Sequence, residues 1–302
     1  MVAFIDGHQH RETDGLRWGI EPICRVLQVA PSTYYAAKRR PPARRTVEDA
    51  ALKERIRALS AEHYAVYGAE KVWRQLGREG LQVGRDRVAR LMRELGLAGA
   101  TRARTARTTR PAPRAQALPA DLVRRDFTAG APNRLWVNDL TYVPLLPAGF
   151  AYTAFVIDAC SRRIVGWQVA ASLQVDLALD ALEMALWARR DAPLDGLVHH
   201  SDRGGQYLAL RYTTRLAEAG IVPSVGSKGD SYDNALAETV NGLYKAELIR
   251  RRGPWRTVAE VAVATAAWVA WWNTHRLHGA LGYLPPAEYE AAHRPAPAPA
   301  VA

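Results

Sequence analysis

Apolar residues recur at helical spacing through the first hundred positions and at strand spacing from Asn133 onward, so a helical part precedes a mixed one. In the helical part, residues 21–27 and 32–38 predict two short helices, the second capped by Ser32 and ended by Pro41-Pro42. They make either a small helix-turn-helix or a helical hairpin packed on its neighbour. Residues 1–17 are polar and predict nothing regular. Residues 47–62 predict a longer helix, 64–68 a turn, and 69–79 a further helix closed by Gly80. A third helix of this group spans R-D-R-V-A-R-L-M-R-E-L-G. There Val88, Leu91, Met92 and Leu95 fall on one face and Arg87, Arg90 and Arg93 on the other. An apolar face that packs and a cationic face that reaches phosphate or guanine edges suit a helix lying against DNA; a solvated arginine face is the alternative.

The mixed part opens with β-type runs at 135–143, 150–158 and 164–171, separated by turns, which read as an antiparallel meander. A helix at 176–190, a strand at 196–200, a helix at 206–219 and a strand at 221–224 follow. Next, Ala235, Leu236, Val240, Leu243 and Tyr244 recur at helical spacing and place Glu238 on a helix. The order βββαβαβα predicts a mixed α/β domain. A last helix at 258–272 carries Trp268, Val269, Trp271 and Trp272 and is expected to be mostly buried. Residues 101–120 hold five arginines and three prolines with almost no large apolar side chain, the composition of a linker that orders on a phosphate backbone. The expected organisation is therefore a helical segment 1–42, a helix-turn-helix-like unit 43–100, a basic linker 101–125, a core 126–290 and a frayed tail 291–302.

Charge sharpens this division. The formal net charge is +11 over 302 residues, and residues 38–125 carry 22 Lys+Arg against 9 Asp+Glu. The basic excess thus belongs to the helical part and the linker, which points to nucleic acid as partner, with solubility as the bland alternative. The two cysteines, Cys24 and Cys160, lie far apart with no C-x-x-C, which fits a reducing compartment and argues against a cysteine zinc site. Asp6, Gly7, His8 and His10 interrupt any leader-like apolar run, and the apolar helix containing Glu260 is too short to span a bilayer. A cytoplasmic, nucleoid-associated protein is expected.

The candidate chemistry lies in three carboxylates. Asp139 sits inside L-W-V-N-D-L-T-Y-V, Asp202 ends an apolar run in V-H-H-S-D-R-G-G-Q-Y, and Glu238 lies on the helix D-N-A-L-A-E-T-V-N-G-L-Y-K with Lys245 two turns further along the same face. Hard carboxylate oxygens from separate elements are what magnesium takes. Asp158 rivals Asp139, helix capping rivals metal ligation at Asp202, and Glu247 and Asp233 rival Glu238. His199, His200, Ser201 and Asp202 mimic a hydrolase triad, but neighbouring residues cannot line up nucleophile, base and orienter. His275-x-x-His278 offers two metal ligands without partners and is read as DNA-proximal or structural.

Taken together, W-x-x-D-x-T-Y, H-x-S-D-x-G-x-Q-Y and D-N-A-x-x-E-x-x-x-G-x-x-K resemble the catalytic core of insertion-sequence transposases. More narrowly, the chain resembles the second-reading-frame product of the insertion-sequence-three family, within the DDE superfamily shared with retroviral integrases. Y-G-A-x-K-V-W, R-x-x-R-L-M-R-E-L-G-L and the closing N-T-H-R-L-H-G-A-L-G-Y-L-P-P-A-E-Y extend the likeness to roughly residues 19–289. The resemblance implies a ribonuclease H-like core, a mixed five-stranded sheet flanked by helices and preceded by a helix-turn-helix. It implies a transposase that cleaves and transfers DNA strands at the terminal inverted repeats of its element and into target DNA. Asp139, Asp202 and Glu238 would hold two magnesium ions, with manganese as a substitute. Lys245, Arg203, Asn234, Asn241, Arg87, Arg90 and Arg93 would contact DNA. The first-reading-frame protein, fused or associated, and further copies of the chain are the implied partners, although no sustained heptads occur here. Two rival readings are a catalytically inactive DNA-binding regulator and a ribonuclease acting on RNA.

Overall fold

A computed structural model describes residues 1–101, 120–123, 126–202, 204–226 and 234–293. They fall into two compact units, Met1–Arg55 and Ile56–Ala302. The first holds α1 (Val2–His8), a small hairpin of β1 (Glu12–Thr13) and β2 (Leu16–Arg17), α2 (Ile20–Val26) and α3 (Pro31–Arg39). Ile5, Ile23, Cys24 and Tyr34 form its core. Residues 1–17 are thus regular where the sequence predicted nothing: Ile5 anchors α1 against the two helices, and an apolar run of four at the head of a seven-residue helix shows no helical period to read. Ser32 is not the cap of α3. Pro31 fills its first turn and Ala30 precedes it.

α4 (Arg44–Glu62) crosses the boundary between the units and is followed by α5 (Ala69–Arg78) and α6 (Arg85–Glu94). Gly80 takes φ +83 just past α5, the left-handed turn that ends it. Val88, Leu91 and Met92 of α6 are buried, as the spacing predicts. Gly99 packs against the backbone of Gly68, where a Cβ would meet Gly68 N at 2.7 Å.

The rest is built on one five-stranded sheet in the order β5-β4-β3-β6-β7. β3 (Leu135–Pro144), β4 (Phe150–Asp158) and β5 (Ile164–Ala170) run antiparallel; β6 (Val198–Ser201) and β7 (Val222–Val225) are parallel to β3. α7 (Val175–Ala188) covers one face, pressing so closely on Gly166 that a Cβ there would overlap Ala181 O. The helix expected at 206–219 is broken at Ala209 into α8 (Gly205–Leu208) and α9 (Leu210–Glu218). α10 (Ala235–Tyr244) continues through a π-helical turn, Lys245–Ile249, into α11 (Arg250–Arg252). α12 (Val258–Thr274) starts with Thr257 Oγ1 accepting from Glu260 N and buries Trp268, Val269, Trp271 and Trp272. Tyr244, Phe155 and Trp268 meet edge to face beneath it. α13 (Pro286–Ala292) closes the described chain, so residues 291 and 292 are helical rather than part of the expected tail. Most of the basic linker lies outside the described residues. No helix among them is long and apolar enough to cross a membrane.

Within this second unit, α5 and the turn before it engage the C-terminal segment. The Tyr67 hydroxyl accepts from Leu277 N at 2.8 Å and donates to His275 O at 3.2 Å. Trp271 Nε1 donates to His63 Nδ1, and Arg78 makes a two-pronged pair with Glu288.

Candidate active site

β3 pairs with β4 along nine residues, but with β6 only at Leu135, Trp136 and Val137. Beyond Val137 its second edge has no strand beside it and α10 takes that place: Asn234 Nδ2 donates to Asn138 O, and Asn241 Nδ2 donates to Asp139 Oδ2, both at 2.9 Å. Two residues past the Val137↔His200 pair stand Asp139 on one strand and Asp202 just beyond the end of the other. Parallel strands run about 4.8 Å apart, so the register sets these carboxylates side by side at the carboxyl end of the sheet. Each is half-buried and held by backbone. Leu140 N donates to Asp139 Oδ1 at 2.8 Å and Gly204 N donates to Asp202 Oδ1 at 3.0 Å.

The electrostatics follow. Burial, then the charge of Asp202, pushes Asp139 up to about 8, against the opposing pull of Leu140 N–H and the Asn241 amide; Glu238 adds a smaller push in the same direction. Asp202 is also raised, chiefly by burial. The buried Tyr207 hydroxyl, raised far above its ordinary value by burial, senses both aspartates. Two carboxylates crowded where little water can screen them form a site that favours a proton or a cation.

Glu238 lies on the first turn of α10, exposed, with Asn241 and Lys245 three and seven positions on along the same face. The contact of Asn241 with Asp139 turns this face toward β3. Even so, among the described residues no three ligating side chains stand close enough together to hold an ion. Lys245 Nζ sits 4.4 Å from the Tyr142 ring centroid, its pKa lowered by burial.

The rival acids have other employment. Asp158 is fully buried and accepts from Asn133 N, Ser161 N and Ser161 Oγ at 2.6, 2.8 and 2.9 Å, which ties the β4–β5 turn to the start of β3. Glu247 is buried against Arg276 at 2.9 and 2.5 Å. Asp233 lies outside the described residues, as does Arg203. Asn234 and Asn241, expected to contact DNA, are both buried, and each donates from Nδ2 to the chain's own atoms, Asn138 O and Asp139 Oδ2. The arginine face of α6 is also less open than its pattern suggested, because Arg90 pairs with Glu94 at 2.5 Å and Arg87 is half-buried; Arg93 is exposed.

The apparent hydrolase triad is dismantled. His199 is buried and its pKa driven down to about 3, with Nε2 against the Tyr212 hydroxyl at 2.9 Å, while His200 Nδ1 meets Ser224 Oγ. His278 is buried edge-on to Trp272, and His275 is exposed. Asn138, whose amide donates to the Tyr212 hydroxyl at 2.8 Å, and Tyr207 were not singled out from sequence. Their signal was present in their place beside Asp139 and within H-x-S-D-x-G-x-Q-Y.

Comparison with known proteins agrees with this architecture. Two models described as integrase core domain match residues 129–231 and 219–286, and one described as HTH-like domain matches 47–105. A Mycobacterium tuberculosis protein named for the transposase of insertion sequence element IS986/IS6110 is 54% identical over 270 residues, 88% of this chain and 96% of that protein. The transposase for insertion sequence element IS629 of Shigella sonnei is 50% identical over 282 residues, 92% of this chain and 93% of its own. The HTLV-2 integrase catalytic core domain, solved in complex with magnesium, is similar over 55% of this chain and 100% of its own, at 15% identity and TM-score 0.42. An integrase core preceded by an HTH-like segment, matched along nearly its whole length by such relatives, makes this chain a member of the insertion-sequence-three family of transposases.

Proposed function

We propose that this transposase cleaves and joins DNA strands at the ends of its element with Asp139, Asp202 and Glu238 as the carboxylates of a divalent-metal centre. One observation carries the reading: Asp139 and Asp202 stand side by side beyond the last β3–β6 pair, buried enough to hold Asp139 at about 8. Such an arrangement costs stability unless a cation offsets it. The donor set fits magnesium, since all three side chains offer hard oxygens and Asn241 leaves a buried Oδ1 without a partner beside them. When bound, two such ions supply positive charge at the attacking and leaving oxygens of a phosphodiester.

The chain's own residues do the rest. Leu140 N–H and the Asn241 amide each grip one oxygen of Asp139, and Gly204 N–H grips one of Asp202, so both carboxylates are aimed before DNA arrives. Glu238, standing apart, joins them when its side chain swings along the α10 face. Lys245 puts its ammonium beside the same face to meet a phosphate. The attacking groups on this reading are water and then a DNA 3′-hydroxyl.

The test is cleavage of duplexes carrying the DNA that flanks the gene. Asp202→Asn and Glu238→Gln are expected to abolish cleavage and keep DNA binding, and chelation of magnesium to do the same to the parent. Cleavage by either variant would reject the assignment. The alternative, an inactive DNA-binding regulator, predicts no cleavage by the parent under any condition. On the favoured reading, the helical segment 43–100 holds the terminal repeat, the basic linker follows the backbone, and the protein works on the nucleoid in the cytoplasm. The first-reading-frame product and further copies of the chain complete the assembly. Adding that product to the assay tests its part.

A further inference from the structure

The β3–β4 hairpin carries three aromatic rings, of which one packs on the core and two stand open to solvent. Tyr142 pairs with Tyr152 and Pro144 with Phe150 in the register, and residues two apart on a strand share a face, so Tyr142, Tyr152 and Phe150 line one side of the hairpin. Their rings touch. Tyr142 and Phe150 lie 5.5 Å apart at 88°, Phe150 and Tyr152 6.4 Å apart at 47°. Tyr152 packs against the core under α7, whereas Tyr142 is 39% and Phe150 46% exposed. Large aromatic rings left this open on a strand mark a surface with an occupant.

Charge identifies that occupant. Lys245 Nζ stands over the Tyr142 ring, and Lys245 shares its helix face with Glu238 and Asn241. Asp139 is three residues back along the same strand as Tyr142, about 10 Å at strand spacing. Asp139 projects from the opposite face of β3 to Tyr142, and α10 joins the two round the open strand edge, with Asn241 bonded to Asp139 and Lys245, four positions on, over the Tyr142 ring. A cation beside exposed aromatic rings is the chemistry that takes a phosphate together with the face of its base.

We infer that Tyr142 and Phe150 form a stacking shelf for unpaired bases of the DNA strand next to the cleaved phosphate. This rests on the reading of Asp139 and Asp202 as the metal centre. In duplex DNA the base faces are covered by their neighbours, so only bases freed from pairing can lie on the rings, and the shelf selects or stabilises an opened end. Tyr142 and Phe150 are positioning residues, since neither reaches the reacting atoms.

The full chain is tested by fluorescence anisotropy on two versions of the end duplex, one fully paired and one with three mismatched bases beside the cleavage position. Parent protein and Asp202→Asn are expected to prefer the mismatched duplex by about tenfold or more, the scale of one stacked base. Tyr142→Leu and Phe150→Leu, which keep apolar bulk and strand propensity, lose that preference, while Tyr142→Phe keeps it. A 5-iodouracil among the unpaired bases crosslinks on irradiation to the peptide holding Tyr142 or Phe150. Equal binding of both duplexes by the parent, or an unchanged preference in both leucine variants, overturns the shelf. So does loss of self-association in those variants with the preference intact, which would make a second copy the occupant. Binding is read without cleavage, so failure here leaves the metal assignment standing, whereas cleavage by Asp202→Asn removes that assignment whatever the shelf does.

Discussion

At the scale of single residues, the site depends on groups that hold the carboxylates rather than on the carboxylates alone. Asn241 is the clearest case: its amide fixes one oxygen of Asp139, and Asn241→Leu removes the grip while keeping the bulk. Losing such an outer partner typically costs about 10–100-fold. Isothermal titration with magnesium and initial cleavage rates are both expected to fall in that range for Asn241→Leu, with the thermal midpoint little changed. Gly204→Ala makes a second case, since a Cβ there would stand 3.0 Å from Asp202 Oδ1 and 3.1 Å from Gln206 Oε1. Cleavage should drop severalfold or more while circular dichroism matches the parent. The proposed trio of Asp139, Asp202 and Glu238 was suggested by spaced motifs within a strand, just past a strand end and on a helix face. Asn241 was read as a DNA contact and not as a partner of Asp139, because a hydrogen bond between residues 102 apart leaves no mark in the local pattern.

Elements were legible where a face is apolar for several turns or strand steps, which covers all five strands of the sheet and α4 to α7. They were missed where one contact decides: α1 through Ile5, the break at Ala209, and the π-helical turn after Tyr244. That turn buries Glu247 against Arg276, whose guanidinium lies 4.5 Å from the Trp272 centroid. Arg276→Met strands the carboxylate in the interior and is expected to cost about 3–5 kcal/mol in denaturant unfolding. Lys71 of α5 packs close by. Burial and then the charge of Arg276 lower its pKa from 10.5 to about 7, with Glu247 opposing. A cation depressed in the fold contributes stability above its unfolded value that is lost as pH falls through the folded one. Stability should therefore decline from about pH 10 to pH 7 in the parent. Lys71→Met should flatten that slope, as urea melts at stepped pH will register.

For the whole molecule, charge decides how DNA is met. The excess of base sits in residues 38–125 and the proposed metal carboxylates on a sheet far along the chain, so affinity and reaction are expected to be separable properties. Arg93, exposed on α6, is expected to act on affinity alone. Arg93→Ala should weaken binding of all sequences alike and lower the slope of log affinity against log salt by about one. A change confined to one sequence would point to base reading instead. The two properties meet again at Tyr67, whose hydroxyl bonds main-chain atoms of residues 275 and 277 and none of their side chains. A joint that recognises peptide groups is indifferent to which amino acids supply them. Swapping helical front ends between elements should thus tolerate changes at 275 and 277 where the tyrosine is retained, whereas the His63–Trp271 and Arg78–Glu288 pairs must travel together for a grafted end specificity to seat on an old cutting machine.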